Sequence, residues 1–354
     1  MNKPFFLGLI AIAAVSLSCE DSDDNIDRQD FVVEPHILIT NQGPFGSGNG
    51  TITRISTDLE TVGQNYYQTA NAGQTLGNIV QSVGFYKDKA YVVSNNSDRV
   101  DVVDRNTFEN IETLTSGLIQ PRYFAAANGK GYVSCWGDPF DTTDDYIAVL
   151  NLEDNTIIKT ITVAEGPERL LVVGDKLYVA EQGGFGYSNT VKIIDTNADT
   201  VLTSVVVGDV PNSLEVSDTG FVYVLAAGKP AFTMDETNAT LTVIAPDNTV
   251  VSTATFSDVT EHPSGLQIDG DMYYYYLNGA LYSGSLDTFE EQTLPFAAVG
   301  FYFTIAVRDG IFYGSDAKDF ASDGTLDIKN LEQPDVTLAT IPVGIIPGGI
   351  FFNE

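Results

Sequence analysis

From residue 31 onward the apolar residues fall into two patterns, and neither is helical. They come as short β-branched or aromatic runs, or in strict alternation with polar residues, bounded by glycine, proline, asparagine and aspartate. Both patterns predict strands. The stretch from Glu165 to Val207 shows one unit in full. LLVV, a Gly174-Asp175 turn and KLYVAE predict a tight hairpin, because such turns need positive φ and Gly-Asp supplies it. A Gly-rich loop from Gln182 to Asn189 leads to TVKIIDT, and a turn at Asn197-Ala198-Asp199 leads to TVLTSVVV. Four strands in succession predict one antiparallel sheet.

The unit recurs. Gln120-Pro121-Arg122-Tyr123 followed by FAAANGKGYVS aligns with Gly166-Pro167-Glu168-Arg169 followed by LLVVGDKLYVA. It aligns also with Val210-Pro211-Asn212-Ser213 and with His262-Pro263-Ser264-Gly265. Copies without proline begin at Val80-Gln81-Ser82 and Phe301-Tyr302-Phe303. A spacing of roughly 40 to 48 residues is the blade period of a β-propeller. Six whole blades are expected, at about 73–115, 117–163, 164–207, 208–256, 257–296 and 297–343. Ile346-Pro347-Gly348-Gly349 opens one more inner strand, and the segment from His36 supplies HILITNQ, NGTITRIS and TVGQNYYQ. The expectation is therefore an all-β, seven-bladed propeller of four-stranded antiparallel blades, spanning 31–354 and closed by one blade shared between N- and C-terminal strands. Closure removes the unpaired sheet edges that invite aggregation.

Composition sharpens the picture. The chain holds 48 Asp and Glu against 17 Lys and Arg, a net charge of −31. Nucleic acids and anionic membrane surfaces require neutralising positive charge, so no nucleic-acid partner is expected. Lys3 followed by the apolar stretch Phe5 to Val15 reads as a leader, too short to span a bilayer permanently. VSLSC resembles the lipobox of bacterial lipoproteins, which implies a signal peptide at 1–18 and lipidation of Cys19. The acidic run from Glu20 to Asp24 begins a flexible tether over 19–30 and resembles an outer-membrane export signal. Lipid-anchored exposure on the outer membrane is the localisation this implies, with membrane contact through the anchor only. Cys135 is then alone in the mature chain and is expected to be a small buried residue.

The two propeller faces are written differently. Hairpin turns on one face are minimal: Lys87-Asp88, Asn128-Gly129, Gly174-Asp175 and Asp309-Gly310. The other face carries long loops with Phe45, Asn96, Trp136, Phe140, Phe185, Tyr187 and Phe232. Around the channel mouth, the segments leading into the inner strands add Gln81, Arg122, Tyr123, Glu168, Arg169, Asn212, His262 and Tyr302. Aromatic walls with a few amides and arginines suit a large, polar, partly flat ligand. These residues are expected to gather around one basin.

Catalytic constellations are sparse. Only His36 and His262 are histidine; His36 opens a predicted strand and reads as structural. No nucleophile elbow, HExxH, paired-cysteine zinc site or Walker loop is present, so neither a cofactor nor a metal is expected and the protein is read as a non-enzyme. Asp141, Asp144 and Asp145 depart from the EF-hand spacing and read as a solvated loop, with calcium as the alternative.

One family resemblance adds to this. Pro167, Leu177-Tyr178-Val179-Ala180 and Val191-Lys192-Ile193-Ile194-Asp195-Thr196, echoed by Ala90-Tyr91-Val92-Val93 and Val100-Asp101-Val102-Val103-Asp104, resemble the blade pattern of YncE-like seven-bladed propellers over about residues 36–354. Together with the lipobox and acidic run, the chain resembles surface lipoproteins of the DUF5074 and BtuG type. That likeness implies capture of a nutrient, a corrinoid such as cobalamin, and delivery to a TonB-dependent outer-membrane transporter. Two other expectations compete with it. One is a glycan-binding or adhesive propeller, with Trp136, Phe140, Phe185 and Tyr187 stacking on sugars. The other is a lyase or lactonase using His262 and Glu168.

Overall fold

The computed structural model describes residues 32–354. The leader expected at 1–18, Cys19 and the tether expected at 19–30 lie outside the described residues. Within them the chain forms seven antiparallel sheets of four strands each. Six sheets use consecutive strands. The first runs Val80–Tyr86, Lys89–Ser94, Arg99–Asp104 and Asn110–Leu114, and the pattern repeats from inner strands Pro121–Ala127, Pro167–Val173, Pro211–Val216, Ser264–Asp269 and Thr304–Arg308. The seventh takes its inner strand, Pro347–Asn353, from the C-terminal end and the rest from His36–Asn41, Thr51–Ser56 and Val62–Gly63. Ile37 lies opposite Phe352 and Ile39 opposite Ile350 across that join. The expected closure is the observed one.

The second strand of each blade has an apolar centre because both of its faces are buried. Side chains alternate between faces along a strand. Tyr91 and Val93 pack with Phe124 and Val133 of the next blade, while Ala90 and Val92 pack with Leu38 and Ile52 of the previous one. Leu177 and Val179 against Tyr178 and Ala180 divide in the same way. The result is not one core but seven apolar wedges, one at each seam between neighbouring blades. Each blade is folded only insofar as its neighbours are.

The inner strands carry a recurrent irregularity. Pro121, Pro167, Pro211 and Pro347 open their strands, where a missing N–H is harmless because the inner strand is a sheet edge. The residue before each is left-handed: Gln120 (φ 49), Gly166 (φ 66), Val210 (φ 60) and Ile346 (φ 54). For Val210 and Ile346, both β-branched, that is strain. It is held by a repeated backbone bond from the end of the second strand, such as Ala227 N to Val210 O at 2.9 Å and Gln42 N to Ile346 O at 2.9 Å. Directly afterwards, six of the seven inner strands lose register against their neighbour: after Val80, Pro121, Pro167, Pro211 and Ser264, and opposite Thr40 and Asn41.

Candidate functional site

These bulges build the site. A bulge leaves one or two residues out of the ladder and re-aims their side chains. The residues set free are Gln81; Arg122 and Tyr123; Glu168 and Arg169; Asn212; Gly265 and Leu266; and Gly348. Every one of them lines a single cavity of about 510 Å³ at the channel mouth. Carbonyls released from the ladder are taken up by serine hydroxyls: Ser82 Oγ donates to Arg122 O at 2.7 Å, Ser134 Oγ to Glu168 O at 2.9 Å and Ser315 Oγ to Pro347 O at 2.7 Å. At these three bulges the released carbonyl keeps a partner, as a built feature requires.

The cavity has two unlike walls. One holds Gln81, Arg122, Tyr123, Glu168, Arg169 and Asn212. The opposite wall is Gly265, Leu266, Gly348 and Gly349, with Tyr276 and Phe303 above the apolar strand residues. At Gly348 a Cβ would come within 2.6 Å of Gln42 Nε2, so glycine there lets the Gln42 amide lie against the strand.

On the polar wall Arg122 is fully engaged. Its Nε donates to Glu168 Oε1 at 2.8 Å, a second guanidinium nitrogen lies 2.8 Å from the same oxygen, and its plane rests 4.3 Å from the Trp136 ring centre. Burial pushes the Glu168 carboxyl up, and Arg122 and then Arg169 pull it back. Arg169 lies 4.6 Å from the Tyr123 ring centre but, among the described residues, forms no ion pair and donates no hydrogen bond. Deeper in the channel, burial pushes the Glu215 carboxyl up to about 8 against the pull of Arg169, and Gln267 Nε2 donates to it at 3.1 Å. Below Glu215 the channel widens again to about 350 Å³ beside Asp269, Arg308 and Phe352.

The structure separates the other expected site residues into two groups. His262 and Tyr302 stand at blade mouths but turn away from the cavity. His262 bonds Ala227 O at 2.7 Å and Glu236 Oε1 at 3.2 Å, tying its segment to the neighbouring blade's loop. Tyr302 donates to Asp327 Oδ2 at 2.9 Å and covers Gly314. Neither side chain lines the cavity, so His262 and Glu168 are not brought to one place. The rim aromatics do not share the cavity either. Phe185 packs edge-on to Trp136 at 5.9 Å and flat on Phe140 at 5.8 Å, around a hollow of about 10 Å³ that suits one water. Phe45, Phe232 and Tyr187 stand exposed on their own loops, and Asn96 donates to Asn78 Oδ1 at 2.9 Å in the segment leading into its blade's inner strand. The single basin expected from the sequence is thus two features: a polar channel mouth and, outside it, a rim of rings. The rim also includes Phe301 and Phe320, and Phe303 joins it to the cavity; Phe301 and Phe303 were not expected as site residues.

Other expectations resolve plainly. Asp141 accepts from Thr143, Asp144 from Asp138 N, and the buried Asp145 from Gly166 N at 2.9 Å, so the three carboxylates face different partners. No group of three metal-ligating side chains occurs among the described residues. Cys135 is fully buried and burial pushes its thiol up to about 12, which makes it inert. His36 is buried in the closing blade, where desolvation first and Arg54 second lower it to about 4.

Comparison with known proteins fits this geometry. The family described as a domain of unknown function, DUF5074, matches residues 36–315. The chain belongs to the DUF5074 family. No curated protein matches it. Among solved structures it is similar to a periplasmic gluconolactonase of Pseudomonas aeruginosa, 11% identical, covering 90% of this chain and 99% of that one with a TM-score of 0.65. It is similar also to BamB from Moraxella catarrhalis, 11% identical over 91% and 92% with a TM-score of 0.55, and to the computationally designed Ika8 protein, 14% identical over 89% and 96% with a TM-score of 0.56. At these identities the likeness is one of fold.

Glu215, Gln267 and Tyr276 line this family member's channel and were not anticipated. Glu215 and Gln267 did carry a signal: each is a polar residue flanked by two apolar ones, in LEV and LQI. Tyr276 lay hidden in a run of four tyrosines.

Proposed function

We propose that this protein is a lipid-anchored capture protein of the outer-membrane surface. It holds a large, partly flat, polar nutrient over the loop face, a corrinoid above all, and hands it to a TonB-dependent transporter. The observation that carries the reading is the one-sided rim: Phe45, Phe140, Phe232 and Phe301 are each about four-fifths exposed, all on the loop face, around an open polar mouth. Large rings held out on one rim are contact area for a ligand or partner. The anchor and the transporter rest on the leader, Cys19 and the acidic run in the sequence, and on the family resemblance. Capture requires no bond-making, which agrees with His262 being held between Ala227 O and Glu236 and away from Glu168. A lactonase reading has behind it only the fold of a distant neighbour.

Calorimetric titration of the purified mature protein with cyanocobalamin tests the ligand. Binding at micromolar concentration, weakened by Phe140→Ala and Phe185→Ala, supports it. No heat removes the corrinoid, and a positive glycan array in its place would assign the rim to sugars. Antibody labelling of intact cells, lost on Cys19→Ala, tests the location.

A further inference from the structure

We propose that the channel mouth is a second binding site, separate from the aromatic rim, for a small hydroxylated carboxylate of the uronic-acid class, its carboxylate held by Arg169. Four observations converge on it. First, the cavity of about 510 Å³ lies within the size of small-molecule sites and is lined by bulges in six of the seven inner strands, so its shape is fixed by backbone and not by mobile loops. Second, Arg169 is a half-buried guanidinium over the Tyr123 ring, with all of its N–H donors unused among the described residues. An arginine beside it, Arg122, is consumed by Glu168. A planar fork kept in place by a ring and left without an acceptor matches a carboxylate.

Third, the charge is right for a monoanion. Only Arg122, Glu168, Arg169 and Glu215 are charged or titratable acids and bases in the lining apart from the Tyr123 and Tyr276 phenols. Glu168 cancels Arg122, and Glu215, pushed up to about 8, is mostly protonated at neutral pH. The mouth is then a spot of about one positive charge in a chain of net charge −31. A dianion would find no second free cation there. Fourth, hydroxyl recognition is supplied by amides. Gln42 and Gln182 line the cavity half-buried, and their side chains make no hydrogen bond among the described residues. Gln81 and Asn212 sit beside them, Gln81 donating to the Tyr123 hydroxyl at 3.2 Å. Gln42 lies against Gly348 on the opposite wall, so amides face the cavity from both sides.

The test is calorimetric titration of the mature protein with D-glucuronate and, separately, with D-glucose, which presents the same ring without the carboxylate. Glucuronate is expected to bind about tenfold to a hundredfold more tightly than glucose, the range of one charged, bidentate contact. Arg169→Gln is expected to erase that difference, with Arg169→Lys restoring part of it. Because Arg169 donates no hydrogen bond among the described residues, an unchanged thermal melt will show that the variant is folded. Phe140→Ala and Phe185→Ala, which weaken a rim ligand, should leave glucuronate binding unchanged, so this proposal and the rim reading fail separately. Equal affinity for the two sugars, no heat from glucuronate at millimolar concentration, or full glucuronate binding by Arg169→Gln would each overturn it.

Discussion

The Arg122–Glu168 pair offers the sharpest check on how the channel mouth is held together. Its side chains are 16% and 6% exposed, so both charges are withdrawn from water. Removing one partner of such a pair strands the other, at about 3–5 kcal/mol. Here Arg169 still pulls on Glu168 after Arg122 is gone, which places Arg122→Ala near the lower end, about 3 kcal/mol at pH 7. Loss of the guanidinium from the Trp136 face contributes about 0.5–1 kcal/mol of further loss. The two parts separate with pH. The Glu168 carboxyl already sits above the ordinary carboxylate range, and without Arg122 it rises further. Lowering the pH toward the carboxylate range therefore protonates it more readily in the variant, and the loss shrinks toward the ring-packing part, about 1 kcal/mol. Adding Glu168→Gln to Arg122→Ala should likewise recover about 2 kcal/mol at pH 7, a double-mutant coupling. Urea denaturation of all four proteins at pH 5 and pH 7 measures this. An Arg122→Ala loss below about 0.5 kcal/mol at pH 7, or one of the same size at both pH values, would refute the stranded-charge argument.

Other predictions follow from the seams and the channel. Tyr132 of one blade donates to Thr196 O at 3.0 Å and Asp199 Oδ1 at 2.8 Å in the next, so Tyr132→Phe should lower stability by about 1–2 kcal/mol in urea titration, whereas Tyr178→Phe, whose hydroxyl has no such partner, should change it by less than about 0.5 kcal/mol. At Gly84 an added Cβ would stand 2.4 Å from Phe124 Cδ1 and 2.9 Å from its carbonyl oxygen, against a ring stacked at 4.1 Å on Tyr91. Gly84→Ala should therefore cost about 1–3 kcal/mol by overpacking, read as a fall in thermal midpoint. Glu215, pushed up to about 8 in the folded state, keeps a proton that the unfolded chain has already lost. Stability should therefore fall as pH rises from the ordinary carboxylate range through about 8, and the urea midpoint of Glu215→Gln should overtake that of the wild type across that window and match it near pH 4.5; parallel curves would refute the shift.

The ring was legible in the sequence because the short apolar runs of the second strands have a single cause. Tyr91 and Val93 must face one neighbour while Ala90 and Val92 face the other, and only a strand sandwiched at a seam asks for both. The shared closing blade was legible for a related reason: one surplus inner strand and three missing outer ones can be reconciled only by pairing Pro347–Asn353 with His36–Asn41. The channel-mouth residues Arg122, Tyr123, Glu168, Arg169 and Asn212 were found through the proline that precedes them, though the reason they face inward, a left-handed residue followed by a bulge, is conformational and leaves no composition signal at Val210 or Ile346. His262 precedes its proline, at the position of Gln120, and Tyr302 stands at the position of Arg122 and Glu168; both turn away. Their direction is decided by partners remote in sequence, Glu236 and Asp327, which no local pattern announces.

That difference has a consequence for where specificity resides. A propeller built by repetition would present the same side chain at every bulge, and a seven-fold channel mouth could recognise little beyond charge. Here one arc carries Gln81, Arg122, Tyr123, Glu168, Arg169 and Asn212, and the other carries Gly265, Leu266 and Gly348. The backbone device is common to both arcs, so the scaffold contributes position alone and the chemistry lies wholly in departures from the repeat. The same holds at the rim, where Phe45, Phe140, Phe185 and Phe232 occupy loops of unlike length on identical strand pairs. Exchanging side chains at these positions can therefore change what the face binds while leaving the seven seams, and with them the fold, untouched.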